Sequence, residues 1–446
     1  MRSDESHGAG MSDLLQTDRQ HIWHPYTQHA TEQAPVVITH AHGASLVSDD
    51  GQEILDLVAS WWTCVHGHAH PELNAALAKQ AGQMEHVMFG GFTHEPAIRL
   101  AEGLSAVLPG SLSRVFYSDN GSTAVEVAIK LAYQYWRNRG EEKRTSFLAF
   151  EGAYHGDTLG AMSLGHSCGF FNLFEGLMCE VRALPFAATF EGDEAVEARE
   201  AEALSAIDAI LAESGHETAA LIVEPLMQGA IGMRLCRPAF LKAVVERARA
   251  AGVLVIFDEV ATGFGRTGKM FALDHIDFEP DLVCLSKGLT SGYMPLAATV
   301  AREEIFQEFL GEDFEKALPH GHTFTANPLA CAVALRSLEL FGEEKTLDRV
   351  EHISARHKTA LKVLKDHKRV SRPRRLGTLL AFDLAGGGDG YKSDESLQLR
   401  DWYLAHGLNI RPLGPSVYLM PPYCISEGEL DRAYDGLLEG LSALDG

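Results

Sequence analysis

Along the middle of the chain, short unbroken apolar runs alternate with longer stretches in which apolar residues recur every three to four positions. The runs read as strands buried on both faces, and the stretches as helices that cover them. Residues 253–257, VLVIF, form one run and end on Asp258; residues 282–285, LVCL, form another and lead to Ser286, Lys287 and Gly288. Residues 115–118, 147–150, 220–223 and 295–300 repeat the pattern. Val125, Ala128, Ile129, Ala132 and Trp136 mark the buried stripe of a helix over 123–136. The expected class is α/β, with a mostly parallel central sheet in a large domain over 61–330. Ligands of such sheets sit beyond the carboxyl ends of the strands, so Asp258 and Lys287 reach one crevice.

The flanks differ. Asn327-Pro328 opens a helix over 329–341, and from Glu343 the sequence turns charged and helical, so residues 331–446 read as a smaller α+β domain. Its expected parts are a glycine-rich loop at 386–390, an exposed helix near 397–406, strands over 408–412 and 417–420, and a closing helix over 427–444. Residues 43–58 read as short strands around an Asp49-Asp50-Gly51 turn, within an N-terminal segment, 13–60, that joins this domain. Residues 1–12 read as a disordered polar tail and 190–215 as a solvated helix. Trp61 and Trp62 are adjacent and cannot share one face of a strand, which sends at least one to a cavity or an interface.

Composition narrows the classes. A chain of 446 residues with ordinary apolar content builds more than one small core. A formal charge of −23 disfavours nucleic acid and anionic membranes as partners. Seven cysteines without paired spacing read as reduced thiols, and no apolar run approaches the ~18 residues of a membrane span, so a cytoplasmic protein is expected.

A buried acid and a lysine that converge at strand ends suit pyridoxal phosphate chemistry, in which the lysine joins the cofactor's aldehyde and the acid pairs with its pyridinium nitrogen. Gly121 and Ser122, opening the helix after Asp119-Asn120, offer free N–H groups and a dipole for a phosphate. Two rival chemistries are present in outline only. His66, His68 and His70 alternate as zinc ligands could, yet no Cys or Glu follows at ligand spacing, and no metal is expected. Residues 263–269 match the first part of a nucleotide-binding loop, but Met270 stands where magnesium needs Ser or Thr.

Residues 258–268, DEVATGFGRTG, followed by Ser286-Lys287-Gly288, strongly resemble the class III pyridoxal phosphate aminotransferases, and the resemblance runs from about Trp23 to the end. It implies a fold-type I homodimer with active sites at the subunit interface. By the same resemblance Lys287 is the Schiff-base lysine, Asp258 holds the pyridine nitrogen, Gly121 and Ser122 bind the phosphate, and Tyr154 stacks on the ring. Gly321, His322 and Thr323 would cross the interface to complete the phosphate and substrate site. Tyr26, Trp61 and Arg411 would line the substrate pocket with Tyr154, Arg411 taking a carboxylate and Arg266 standing as a secondary candidate. Residues 23–26, 60–62, 154–158 and 418–423 are similar to members that aminate 8-amino-7-oxononanoate with S-adenosylmethionine as donor, in two ping-pong half-reactions. His322 stands where that pattern commonly has Pro, which leaves lysine as an alternative donor. A general ω-amino acid or diamine transaminase is the other alternative.

Overall fold

The computed structural model describes residues 7–165, 171–386 and 394–445, with side chains from Leu14 onward. Its centre is a seven-stranded sheet, in spatial order Leu112–Ser118, Ala297–Arg302, Leu282–Leu285, Leu254–Asp258, Thr218–Val223, Ser146–Phe150 and Val181–Leu184. Six strands run one way; only Ala297–Arg302 opposes its neighbours. Thr218–Val223 and Leu254–Asp258 are buried at every position, as strands covered on both faces must be. Gly121–Asn138 covers one face with the stripe expected from its sequence, and the opposite face packs on Pro238–Ala250 and Val196–Ser214.

Val196–Ser214 is less solvated than its charged sequence suggests. Val196, Ala203, Ile207 and Leu211 form a buried stripe, and Glu200 is buried against Arg237 at 2.5 Å. The expected strand at 295–300 is shifted to Ala297–Arg302, and the strand expected at 408–412 shortens to Leu408–Asn409. That short strand pairs in parallel with Glu53–Asp56, which continues antiparallel through Ser45–Ser48 to Ile38–His42, so residues from both ends of the chain share one sheet. Val370–Leu376, Leu379–Leu384 and Ser416–Leu419 form a separate antiparallel sheet. A helix, His7–His21, begins inside the expected tail; residues 1–6, like the glycine-rich segment after Gly386, lie outside the described residues. Among the described residues, no helix is long and apolar enough to cross a membrane.

Candidate active site

Asp258 ends its strand 4% exposed. Its Oδ1 accepts from the Val260 N–H at 3.0 Å, and its Oδ2 lies 2.7 Å from His155 Nδ1. His155 is itself buried, and its Nε2 has no partner among the described residues. The next acid along, Glu259, serves the fold. It accepts from Thr262 Oγ1 and from the N–H groups of Ala272 and Leu273, clamping the loop that follows the strand.

Lys287 follows strand Leu282–Leu285 and has φ of +44°, a conformation that costs a non-glycine residue roughly 1–3 kcal/mol and here carries the amine into the crevice. Its Nζ lies 4.7 Å from the centre of the Trp62 ring. Burial pushes the ammonium below its ordinary pKa, against the pull of Asp258 and Glu224. A lysine whose pKa is lowered by burial gives up its proton more readily and so serves more readily as a nucleophile and a base. Glu224, at the exit of Thr218–Val223, accepts from the N–H groups of Tyr154 and Gly229, both at 3.0 Å, and burial pushes its carboxyl up to about 7.

A cavity of about 400 Å³ lies between Lys287 and the N-terminus of Gly121–Asn138, with Gly121, Ser122, Tyr154, Gly156 and Val260 in its wall. Asn120 caps that helix by accepting from Thr123 N–H, and Thr123 Oγ1 accepts from the N–H groups of Asp119 and Asn120. The first-turn N–H groups of Gly121 and Ser122 stay available for an anion. Two glycines keep the floor open: a Cβ on Gly121 would meet Val260 Cγ1 at 2.7 Å, and one on Gly156 would meet Ser122 Oγ at 2.0 Å. Anion cradle, apolar walls, buried carboxylate and buried amine fit a phosphorylated pyridine aldehyde.

Tyr26, Trp61, Trp62, Tyr154, Asp157 and Lys287 line an adjoining cavity of about 320 Å³, and a third, of about 340 Å³, shares Tyr26 and Trp61 and reaches Arg411. Asp157 joins the two phenols: Tyr26 Oη donates to it at 2.6 Å and Tyr154 Oη at 3.0 Å. The Arg411 guanidinium lies 5.5 Å from the Trp61 ring centre, and Tyr26 meets Trp61 edge-on. Trp61 is 44% exposed and Trp62 5%, with Trp62 Nε1 donating to Tyr418 Oη, so Trp61 forms an open wall of the pocket and Trp62 a buried one.

Arg266 takes a different position from the one expected for a pocket residue. It is 2% exposed, donates to the carbonyls of Trp62 and Pro421 at 3.0 and 2.9 Å, and lies over the Tyr423 ring, binding the pocket's back wall together. Gly321 and Thr323 are exposed and line none of the three cavities within this chain; His322 Nδ1 lies 3.5 Å from Asp119 Oδ2 beside the anion cradle. The three alternating histidines go separate ways: His66 to the Ser337 carbonyl, His68 to Asp56 and His70 to Glu344.

Asp157, Trp62, Glu224 and His155 were not assigned roles from sequence. All but Trp62 stand just beyond the carboxyl end of a strand, the one signal that could have found them.

The model of one family, aminotransferase class-III, matches residues 26–441. The chain belongs to the class III aminotransferases. Among curated class III relatives, the adenosylmethionine-8-amino-7-oxononanoate aminotransferase of Synechococcus elongatus is 47% identical over 95% of this chain and 99% of its own. The protein of the same name from Geobacter sulfurreducens is 41% identical over 97% of this chain and 98% of its own. The crystal structure of the Methanocaldococcus jannaschii protein of that name superposes with a TM-score of 0.91 at 35% identity, covering 97% of this chain and 99% of that one. An (S)-enantioselective ω-transaminase from Thermomicrobium roseum superposes almost as well, with a TM-score of 0.90 at 29% identity over 97% and 98% of the two chains. The aminotransferase fold is thus common to several specificities, and the nucleotide-loop reading of residues 263–269 is set aside.

Proposed function

We infer that this aminotransferase moves the amino group of S-adenosyl-L-methionine to the keto carbon of 8-amino-7-oxononanoate, giving 7,8-diaminononanoate for biotin biosynthesis, with pyridoxal 5′-phosphate as cofactor. The observation that carries the chemistry is Lys287, a buried amine beside the Trp62 ring and within the electrostatic reach of Asp258 and Glu224. When bound, the cofactor supplies the electron sink that lets a proton leave the carbon bearing the amine.

The chain's own residues do the rest. Gly121 and Ser122 would hold the phosphate, and Asp258, oriented by His155 and the Val260 N–H, would pair with the ring nitrogen. Lys287 Nζ, a buried amine in the crevice, would take the proton from the carbon that bears the amine and hold it for return, acting in the opposite order for the second substrate. Tyr154 would pack against the cofactor, and Tyr26, tied to Asp157 and Tyr154, would close the substrate side of the pocket. Arg411, against Trp61, pairs with the carboxylate at the far end of the keto acid. Arg266 serves by fixing the Trp62 carbonyl and the chain near Pro421.

The protein acts as a homodimer in the cytoplasm. Met88, Phe92 and Phe324 are exposed apolar side chains, Phe324 next to the loop 321–323, and six cysteines of the described residues are free. In the dimer, His322 and Thr323 complete the phosphate site across the interface.

Single-turnover assays test the reading. S-adenosylmethionine should bleach the holoenzyme's cofactor band and 8-amino-7-oxononanoate restore it, with lysine and ω-amino acids inactive as donors; lysine turnover would move the donor assignment. Borohydride should fix the cofactor to Lys287. Arg411→Ala should slow the keto acid half-reaction alone, and equal losses in both halves would remove its carboxylate role.

A further inference from the structure

Between Val58 and Cys64 the chain coils left-handed. Ala59, Ser60, Trp61 and Trp62 have φ of +48°, +45°, +67° and +70°, and the turn closes with Trp62 N–H donating to Val58 O at 2.8 Å and Thr63 N–H to Ala59 O at 2.9 Å. No glycine eases this conformation, which L side chains disfavour, so surrounding contacts must hold it. The turn sets both tryptophans: Trp62 beside Lys287, Trp61 beside Arg411.

One side chain lies beneath the turn and reaches both sides of the carboxylate end of the pocket. Asp56 is fully buried. Its Oδ2 accepts from Ser60 Oγ at 2.7 Å, inside the turn, and lies 2.9 Å from His68 Nε2. Its Oδ1 accepts from Asn409 Nδ2 at 2.9 Å, on the short strand that leads to Arg411. The same two residues are register partners in that sheet, and Leu57 N–H donates to the Asn409 carbonyl. Burial alone would push the Asp56 carboxyl up, but the hydrogen bonds from His68 and Ser60 outweigh it and hold it below its ordinary pKa. His68, depressed by burial, is nonetheless raised to about 10 by Asp56, so carboxylate and imidazolium coexist through neutral pH.

We propose that Asp56 is a positioning residue for substrate selectivity. By holding Ser60 with one oxygen and Asn409 with the other, it fixes Trp61 against Arg411 at the spacing that admits the carboxylate end of a long-chain acid. The inference rests on the carboxylate role given to Arg411. It assigns the setting of that arginine to a residue near the opposite end of the chain.

The two arms can be cut separately without touching the cofactor. Ser60→Gly removes the hydroxyl while suiting the positive φ, and Asn409→Ala removes the amide from the strand. Binding to holoenzyme is followed by tryptophan fluorescence with octanoate and octylamine, which share a chain length and differ in the carboxylate. Wild-type protein should favour octanoate; each variant should weaken octanoate by about tenfold or more, the cost of misplacing one charge-assisted hydrogen bond between Arg411 and the carboxylate, and leave octylamine unchanged. The KM for 8-amino-7-oxononanoate should rise in parallel, while the donor half-reaction and the cofactor spectrum stay as in wild type. Equal weakening of both probes, which general loosening of the fold would cause, overturns the proposal, as does octanoate binding unchanged in both variants. Wild-type protein that binds the two probes alike overturns the carboxylate role of Arg411 itself, and the proposal falls with it.

Discussion

Gly156→Ala isolates how closely the phosphate cradle is built. Gly156 has φ of +125°, and a Cβ there would stand 2.0 Å from Ser122 Oγ and 2.8 Å from Ser122 Cα. The backbone conformation alone costs alanine about 1–3 kcal/mol, and relieving the clash adds a further 1–3 kcal/mol of overpacking. Turning the hydroxyl away is not enough, since the main chain of Ser122 still stands too close and the helix N-terminus itself must give. Moving Ser122 also removes the acceptor of the Asp157 N–H, now at 3.2 Å, so pocket and cradle shift together. If roughly 3 kcal/mol of this total falls on the bound state, cofactor affinity drops by about two orders of magnitude. Titration of apoenzyme with pyridoxal 5′-phosphate, read by absorbance, measures it. Gly192→Ala is the control: φ is +86° and nothing lies within 4 Å of its Cβ, so it should lose some thermal stability and no cofactor affinity. Gly156→Ala protein that binds the cofactor as tightly as the control would refute the argument.

Asp258→Asn should lower kcat by two to three orders of magnitude, about what one missing charge-stabilising group costs, while cofactor remains bound at Lys287; a loss under tenfold would mean that the ring nitrogen does not depend on this carboxylate. Arg266→Lys should cost about 2–3 kcal/mol in chemical denaturation, because an ammonium cannot span the Trp62 and Pro421 carbonyls that the guanidinium bridges; a stability equal to wild type would contradict that bridging role. The pH dependence of stability offers a signed test. His357 is buried, and burial lowers its pKa to about 4, so its contribution is present above pH 6.5 and lost as pH falls toward 4. Glu259 is also buried and its carboxyl is pushed up to about 7, so its contribution is present below pH 4.5 and lost as pH rises toward 7. Relative to wild type, His357→Gln should therefore change the slope of unfolding free energy between pH 4.5 and 6.5 by about −1.4 kcal/mol per pH unit, and Glu259→Gln by a similar amount in the positive sense. Parallel curves for the three proteins would exclude both shifts.

The sheet and the chemistry at its strand exits were legible because burial on both faces leaves an unbroken apolar run, and the residue after such a run is where function concentrates. Asp258 and Lys287 stand where that rule puts them. The left-handed turn at 59–62 was not legible: positive φ is signalled in sequence by glycine, and this turn has none, while one of the side chains bonded to it, Asp56, is itself tied to Asn409 far along the chain. Arg266 was a pocket candidate by resemblance alone, and only coordinates reveal that two of its nitrogens donate to main-chain carbonyls behind the pocket. Glu224 and His155 lay at legible places, but their meaning comes from burial, which sequence does not measure residue by residue.

The parallel pairing of Glu53–Asp56 with Leu408–Asn409 has a consequence for the making of the protein. As the chain leaves the ribosome, the early strand presents an unsatisfied edge, and its neighbour is synthesised 353 residues later. Until then Asp56 has no amide from Asn409, and the nascent polypeptide carries an open sheet margin of the kind that invites aggregation. Arg411 and Tyr418, which complete the substrate pocket and hold Trp62, are made later still, so the substrate end of the site can close only when synthesis is nearly finished.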